Sequence, residues 1–281
     1  MANITARAEA VNNMAKRMRI KALDMAFKSG RKGAHLGPAF SCMEIMAALY
    51  GDIMNVDSSD ADNINRDRFI ASKAHCVLAH YTALHEKGYI SDEELETFQE
   101  DNTQFGGHPV LDIAHGMEYT GGSLGMALSV GVGMALDAKL KGRSNKVYIL
   151  LGDGECQEGS NWEAIMSAAQ YKLDNLVIIV DKNGLQYDGH TEDVMNIDNL
   201  ADKFRAFGCF TEDVDGHDAE ALLEVLEHSA NDKPHAIIAH TIKGKGVSFM
   251  EDVREWHHGT LSKSQYEQAL QEVGGSDICQ K

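Results

Sequence analysis

Two polar turns, each following an apolar run, carry the residue types of a site for a metal ion and a diphosphate. Asp153 lies between Gly152 and Gly154 after the run KVYILL, and Asn183 follows the run NLVIIV. The glycines let the backbone approach a ligand closely, and a helix expected from about Gln157 would direct its N–H groups at an anion. Asp and Asn supply the oxygen ligands that Mg²⁺ and Ca²⁺ prefer. An isolated GDG would indicate only a turn, but Asn183 behind a second apolar run favours a metal–diphosphate site.

Strands and helices that position these turns alternate along the chain. From Asp67 onward, short apolar runs predict strands buried on both faces: RFIA, KVYILL, NLVIIV, CFTEDV and HAIIAH. Helices are expected near 3–28, 41–51, 75–87, 91–99, 157–172, 199–206 and 217–229, with a capping-box pattern from Ser91 to Glu94. Strands separated by helices predict an α/β fold, a doubly wound parallel sheet with helices on both faces. Both polar turns would then lie beyond the carboxyl ends of strands, where such sheets bind ligands.

The length and the even composition predict a single domain. The chain has 281 residues, three prolines and no repeat or Pro/Ser-rich linker. We expect one domain over 1–281, with a mostly helical part at 1–65 and a C-terminal helix and tail at 263–281.

Charge and cysteine content exclude several classes of function. A net charge of −17 argues against nucleic acid or an anionic membrane as a partner, so any bound phosphate must be neutralised locally. The five cysteines are scattered without a CxxC pair, which is typical of reduced thiols rather than a disulfide framework or zinc site. The N-terminal residues lack an apolar segment of signal length, and no run approaches the roughly 20 apolar residues that span a bilayer. A cytoplasmic location is expected.

Several separated motifs together resemble one enzyme family. They are GAHLGPAFSCMEIMAALY (33–50), NRDRFIASKAHCVLAHYTALHEKGY (65–89), FGGHPV (105–110), EYTGGSLG (118–125), LGDGECQEG (151–159), DKNGLQYDGH (181–190) and TIKGKGVSFMEDVREWHHG (241–259). In this order they are similar to the N-terminal half of transketolase, a thiamine-diphosphate-dependent enzyme, from the first helix to about Ser262. The resemblance rests on the set, because any single motif could arise by chance.

The resemblance implies roles for individual residues in binding the cofactor and its metal. Asp153, Asn183 and the backbone carbonyl of Leu185 would hold Mg²⁺, with Ca²⁺ or Mn²⁺ as possible substitutes. The implied cofactor contacts are His75, the Gly154 N–H and His258 at the diphosphate, and Gly122, Ser123 and Leu124 beside the two rings.

The resemblance also implies which residues handle the substrate. His35, His108 and His258 would face the reacting carbon, and Glu158 would link cofactor sites across a dimer. Cleaving a ketose between C2 and C3 requires a base for the C3 hydroxyl and donors toward the C2 oxygen, and neutral imidazoles suit both tasks. The sequence WHHG has adjacent histidines, so choosing His258 over His257 rests only on its position before Gly259. A second departure from the family is the basic SGRKGA before His35.

The other histidines are expected to serve the fold. His80, His85, His228 and His235 lie in periodic helix or strand segments, and His190 and His217 each follow a glycine in a loop.

Small residues recur on one face of a helix expected over 123–140. Gly125, Ser129 and Gly133 are spaced by four positions, as neighbours on one helical face are. They would let this helix pack tightly either in the core or at an interface between chains, and both explanations stay open.

The resemblance implies a divided enzyme, since the family's pyrimidine-binding half does not follow these motifs. We expect the N-terminal subunit of a two-chain transketolase, in an α2β2 assembly with a C-terminal subunit, moving a two-carbon ketol unit from a ketose to an aldose. One alternative is another thiamine-diphosphate enzyme, resembling deoxyxylulose-phosphate synthase or a 2-oxoacid dehydrogenase component. A different alternative is a non-catalytic cofactor-binding or regulatory module, against which the intact Asp153, Asn183, His35, His75 and His108 argue.

Overall fold

A computed structural model describes residues 3–274 and contains a five-stranded parallel sheet. The strands are β1 (Arg68–Ala71), β2 (Val147–Gly152), β3 (Leu176–Lys182), β4 (Phe210–Asp215) and β5 (His235–His240). Their order in the sheet is β1-β2-β3-β5-β4, and every pair is parallel. The predicted doubly wound α/β fold is confirmed.

Helices of very different lengths connect and precede the strands. They are α1 (Ile4–Lys28), α2 (Leu36–Phe40), α3 (Met43–Ala48), α4 (Val77–Glu86), α5 (Asp92–Leu95), α6 (Ala127–Leu140), α7 (Gly159–Gln170), α8 (Thr191–Met195), α9 (Leu200–Ala206), α10 (Ala219–Glu227) and α11 (Lys263–Glu272). The predicted capping box is present at α5, where Ser91 and Glu94 each accept a backbone N–H of the other. The end of the predicted tail, with Cys279, lies outside the described residues.

Alternate residues of the strands face two separate apolar cores, one on each side of the sheet. Tyr148 and Leu150 of β2 pack in the core that also contains α1, α3 and α4. Ile149 and Leu151 face the other side, where α6, α7 and α9 pack. This arrangement explains why the central strands are continuously apolar.

Strand β4 differs from the prediction that all five strands are buried on both faces. It is an edge strand, and Asp213 and Asp215 are exposed while Thr211 and Val214 face inward. An edge strand has one unpaired side, so polar residues that would be costly in the centre of a sheet are tolerated there.

Two helices begin later than predicted. The α-helix expected from Gln157 begins at Gly159, after a 3₁₀ turn at Gly154–Gln157 and an extended Glu158. The helix expected over 123–140 begins at Ala127 because Gly125 has a left-handed φ of 80°.

The small residues of α6 do not all pack in the core. Gly131 faces β2, and a Cβ there would lie 2.4 Å from a methyl of Ile149. Ser129 and Gly133 are exposed, so the outer face of α6 is not packed against this chain. Within residues 3–274, no helix is both long and apolar enough to cross a bilayer.

Candidate active site

Polar side chains meet at the carboxyl ends of β2 and β3, around a cavity of about 350 Å³. Since neighbouring parallel strands end at the same edge of the sheet, the turns at Asp153 and Asn183 lie side by side there. The lining contains these predicted residues: His35, His75, His108, Gly122, Leu124, Asp153, Gly154, Glu158, Asn183 and Leu185. Two residues that the sequence placed at the site, Ser123 and His258, are not part of the lining.

Asp153 is held by the backbone of the turns that surround it. Its carboxylate accepts the N–H of Gly154 at 2.7 Å and that of Gly184 at 2.6 Å. The side chain is buried, and burial, together with the nearby Asp181, raises the pKa of Asp153. A buried carboxylate in this position is stabilised by a cation.

The other two predicted metal ligands are arranged around the same turn. The Asn183 side-chain oxygen accepts the Leu185 N–H at 3.1 Å. The Leu185 carbonyl accepts a hydrogen bond at 2.7 Å from the ammonium of Lys243, which therefore brings positive charge to this oxygen. One carboxylate, one amide oxygen and one carbonyl form a hard-oxygen set suited to Mg²⁺. Among residues 3–274, no group of three or more His, Cys, Asp or Glu side chains is arranged to hold a metal.

A buried ion pair lies beneath this edge of the sheet and fixes Asn183. The Lys73 ammonium binds the Asp181 carboxylate, which also accepts hydrogen bonds from Ser41 and Thr241. The Asn183 amide nitrogen donates to Asp181 at 3.2 Å, which orients the Asn183 side chain. Burial alone would lower the pKa of Lys73, but the Asp181 charge outweighs it and the pKa of Lys73 is raised.

Histidine rings from four separate segments form one cluster over this edge. The His35 ring centroid lies 5.8 Å from that of His75, 5.5 Å from His108 and 5.6 Å from His257. His75 and His257 stack at 5.0 Å. His35 precedes α2, His75 lies before α4, His108 follows α5, and His257 precedes α11.

The cluster is neutral at physiological pH. Burial, reinforced by His258 and His108, lowers the pKa of His35 to about 3. Burial and the Lys243 ammonium lower the pKa of His257 to about 3, and burial lowers the pKa of His108 and His75 as well. Burial and Lys73 lower the pKa of Lys243 to about 8. Neutral imidazoles can both accept and donate hydrogen bonds.

His257, rather than His258, lines the cavity beside Lys243. His257 Nδ1 lies 2.9 Å from the Lys243 ammonium, and its ring stacks on His75. His258 is exposed and lies against His35, with ring centroids 4.6 Å apart. The extended backbone at His258 turns successive side chains in opposite directions, so only one of the two adjacent histidines lines the cavity, and the assignment of His258 to the diphosphate stays a prediction.

Glu158 borders the cavity as an exposed side chain, whereas the neighbouring Glu155 is buried beneath it. Glu155 accepts hydrogen bonds from Ser72 and from the Gly125 N–H, the latter at 2.9 Å. A Cβ on Gly125 would lie 2.6 Å from that of Glu158, so only glycine fits between the two turns. Glu155 therefore joins the GDG turn to the segment that precedes α6.

Lys73, Lys243 and Asp181 were missed as candidate site residues in the sequence. Both lysines are about 1% exposed, although lysine is rarely buried, so composition and periodicity gave no reason to select them. The available signal was the position of each lysine within a quoted motif. Lys73 lies two residues before His75, and Lys243 lies two residues after Thr241.

Comparison with known proteins relates this geometry to one family. The family "Transketolase, thiamine diphosphate binding domain" matches residues 10–278. An apulose-4-phosphate transketolase subunit of Phocaeicola vulgatus is 43% identical over 267 residues, with 94% of both chains covered. The 6-deoxy-6-sulfo-D-fructose transketolase subunit of Clostridium sp. is 37% identical, covering 85% of this chain and 88% of that protein.

A solved structure shows the same fold within a longer protein. Transketolase from Leishmania mexicana superimposes with a TM-score of 0.88 and 28% identity. The match covers 94% of this chain but 41% of that one, so the chain spans less than half of the single-chain enzyme. The family match, the identity to the Phocaeicola vulgatus protein and the shared fold show that the chain belongs to the transketolase family of transferases, as its thiamine diphosphate binding domain.

Proposed function

We propose that this chain is the N-terminal subunit of a two-chain transketolase. Its reaction would transfer a two-carbon ketol unit from a ketose, as a phosphate or related anionic sugar, to an aldose acceptor. The observation that carries the proposal is the cluster of neutral histidines beside the Asp153–Asn183 edge. In this arrangement, groups that would recognise substrate hydroxyls lie next to the oxygen atoms proposed to bind a metal.

Thiamine diphosphate and Mg²⁺ fit the residues of this edge. Asp153, Asn183 and the Leu185 carbonyl would hold the metal. Lys243, which donates a hydrogen bond to this carbonyl, would then move away from it. The Gly154 N–H, His75 and His257 would bind the diphosphate, whose charge the acidic chain must neutralise locally. When bound, the cofactor supplies the nucleophilic carbon that takes up the two-carbon unit.

The histidines on the open side of the cavity would manage the substrate's protons. His35 and His108 are neutral, so either ring can accept the proton of the C3 hydroxyl as the C2–C3 bond breaks. The same rings can donate a hydrogen bond toward the C2 oxygen from their second nitrogen. His258, adjacent to His35 but more exposed, would contact the part of the sugar nearer solvent. Ketol cleavage requires such hydroxyl-directed groups, whereas decarboxylation of a 2-oxoacid does not.

A partner chain would complete the site. The relatives with matching length are named as transketolase subunits, and the chain matches less than half of the single-chain enzymes. An exposed apolar face borders the cavity and continues along α6 and α7, with Leu124, Met126, Val130 and Met166 between 37% and 54% exposed. In an α2β2 assembly, the pyrimidine-binding subunit would cover and bury this apolar face. Glu158 would then lie at the interface between the subunits.

The thiols of this chain support a cytoplasmic location. Cys42, Cys76, Cys156 and Cys209 are buried and unpaired, as expected where thiols stay reduced.

The reaction class is tested by mixing the chain with its candidate partner, thiamine diphosphate and Mg²⁺. Ketol transfer is measured with ketose and aldose pairs, and pyruvate consumption is measured in parallel. We expect transfer of the two-carbon unit without pyruvate consumption. Pyruvate consumption alone would replace the proposal with a 2-oxoacid or deoxyxylulose-phosphate synthase-like function.

A further inference from the structure

Gln186 lies in the turn after β3, and its side chain covers Gly154. A Cβ on Gly154 would lie 2.8 Å from Gln186 Oε1 and 3.1 Å from Gln186 Cβ. Both residues line the cavity. The Gln186 carboxamide therefore borders the backbone N–H that we assign to the diphosphate.

The backbone of Gln186 is fixed by its own turn. Its N–H donates to the Gly189 carbonyl at 3.0 Å, and the flanking residues Leu185 and His190 form an antiparallel bridge. The side chain therefore starts from a defined position next to the candidate metal ligands.

The amide nitrogen of Gln186 is buried without an acceptor among the described residues. Leaving a buried donor unpaired costs about 1–3 kcal/mol, so such atoms usually have a partner in the functional state. Gln157 borders the same cavity, and its amide nitrogen already donates to the Met195 carbonyl at 2.8 Å. A half-turn of the Gln186 carboxamide exchanges its nitrogen and oxygen, which would place the donor beside Gly154.

We propose that Gln186 is a diphosphate-binding residue whose amide donates a hydrogen bond to a diphosphate oxygen beside the Gly154 N–H. The inference rests on the proposed function, since it requires a diphosphate at this edge. Phosphate oxygens are acceptors only, so they satisfy the donor that the protein leaves unpaired. A neutral donor also adds no charge beside Lys243 and Lys73, whose ammonium groups already disfavour one another.

The test replaces Gln186 with methionine, which keeps the length of the side chain and removes the donor. The full-length Gln186→Met chain is titrated calorimetrically with thiamine diphosphate and with inorganic diphosphate, each in Mg²⁺. We expect both affinities to fall roughly ten- to a hundred-fold, the effect of losing a hydrogen bond to a charged group. The ligand-free variant should unfold at the same or a higher temperature, because an unpaired donor has been removed.

The control is Gln271→Met, the same change at an exposed position of α11. It should leave both affinities unchanged. Normal binding of both ligands by Gln186→Met would overturn the proposed role of Gln186 but not the proposed function. A loss of affinity confined to thiamine diphosphate would also overturn that role. If the unaltered chain, assembled with its partner subunit, bound neither ligand, the proposed function itself would fail.

Discussion

The histidines of the cavity differ from most of those elsewhere in whether a carboxylate lies beside them; His80, which contacts the Tyr50 hydroxyl, is an exception. His35, His75, His108 and His257 have no carboxylate partner within the described residues, and their shared neighbours are one another and Lys243. The peripheral pairs are His85–Asp92, His115–Asp112 and His115–Glu94, His217–Glu44, His228–Glu212, His235–Glu212 and His240–Asp213, all at 2.7–3.2 Å.

This difference separates histidines that hold the fold from histidines that can serve a ligand. A ring beside a carboxylate uses one nitrogen to bind that carboxylate, which also fixes the orientation of the ring. His217, for example, contacts Glu44 through Nδ1 and accepts the Ile242 N–H through Nε2, so neither nitrogen is free. Among the cavity rings, His35, His75 and His257 are half-buried and His108 is exposed, and none has a carboxylate beside it, which keeps the rings neutral and leaves nitrogens for a cofactor and substrate.

The largest effect is expected at the carboxylate of the cavity. Asp153→Ala should abolish Mg²⁺-dependent binding of thiamine diphosphate, because it removes the only charged group among the three proposed metal ligands. Calorimetry with and without Mg²⁺ measures this loss. Asp62→Ala, at an exposed position, is the matched control. Undiminished affinity in Asp153→Ala would remove the metal assignment.

Thermal unfolding of the same variant separates binding from folding. Asp153 accepts the Gly184 N–H, so alanine leaves a donor unpaired and should destabilise the chain by about 1–3 kcal/mol. Asp153→Asn retains an acceptor there and should lose metal-dependent binding with a smaller change in stability.

Turnover is the next largest effect and compares the two groups of histidines directly. His35→Ala and His108→Ala should each lower ketol transfer by roughly 10²–10⁴-fold, the range for a positioned acid–base group, with little change in cofactor affinity. His240→Ala, which removes an exposed ring paired with Asp213, should leave turnover unchanged. Near-normal transfer by both cavity variants would show that their proton-handling roles are misassigned.

The smallest expected effect is the pH dependence of the stability that His115, a peripheral histidine, contributes. Burial alone would lower the pKa of His115, but Asp112 and Glu94 outweigh it and the pKa is raised. The ion pairs of His115 therefore give their full stabilisation of the folded state below the unfolded pKa of about 6.5. This stabilisation is lost as the pH rises through the higher pKa of the folded state. Relative to His115→Gln, the unaltered chain should lose up to about 1 kcal/mol between pH 5.5 and 9. Urea unfolding at both pH values measures this, and equal differences at the two would contradict it.

The neighbourhood of Asp153 and Asn183 could be predicted from the sequence because parallel strands end together. Two apolar runs followed by polar turns specify that geometry without any knowledge of the rest of the sheet. The edge position of β4 was not predictable, since the run CFTEDV does not encode which strands flank it. The burial of Lys73 and Lys243 was also hidden, because it depends on Asp181 and Leu185, which are distant in sequence.

Loop conformation set the remaining limits of prediction. Nothing in WHHG specifies which histidine faces Lys243, since the choice depends on the backbone angles of the turn before α11. The start of α7 was misjudged for the same reason, because the GDG turn continues as a 3₁₀ turn.

The central claim is that this chain supplies the diphosphate and histidine half of a site that a second chain completes. The most direct measurement is ketol transfer by the purified chain, alone and after addition of the pyrimidine-binding subunit, with thiamine diphosphate and Mg²⁺ in both assays. We predict no transfer by the chain alone, and transfer on reconstitution that saturates at equal amounts of the two chains. Robust ketol transfer by the isolated chain would contradict the two-chain account.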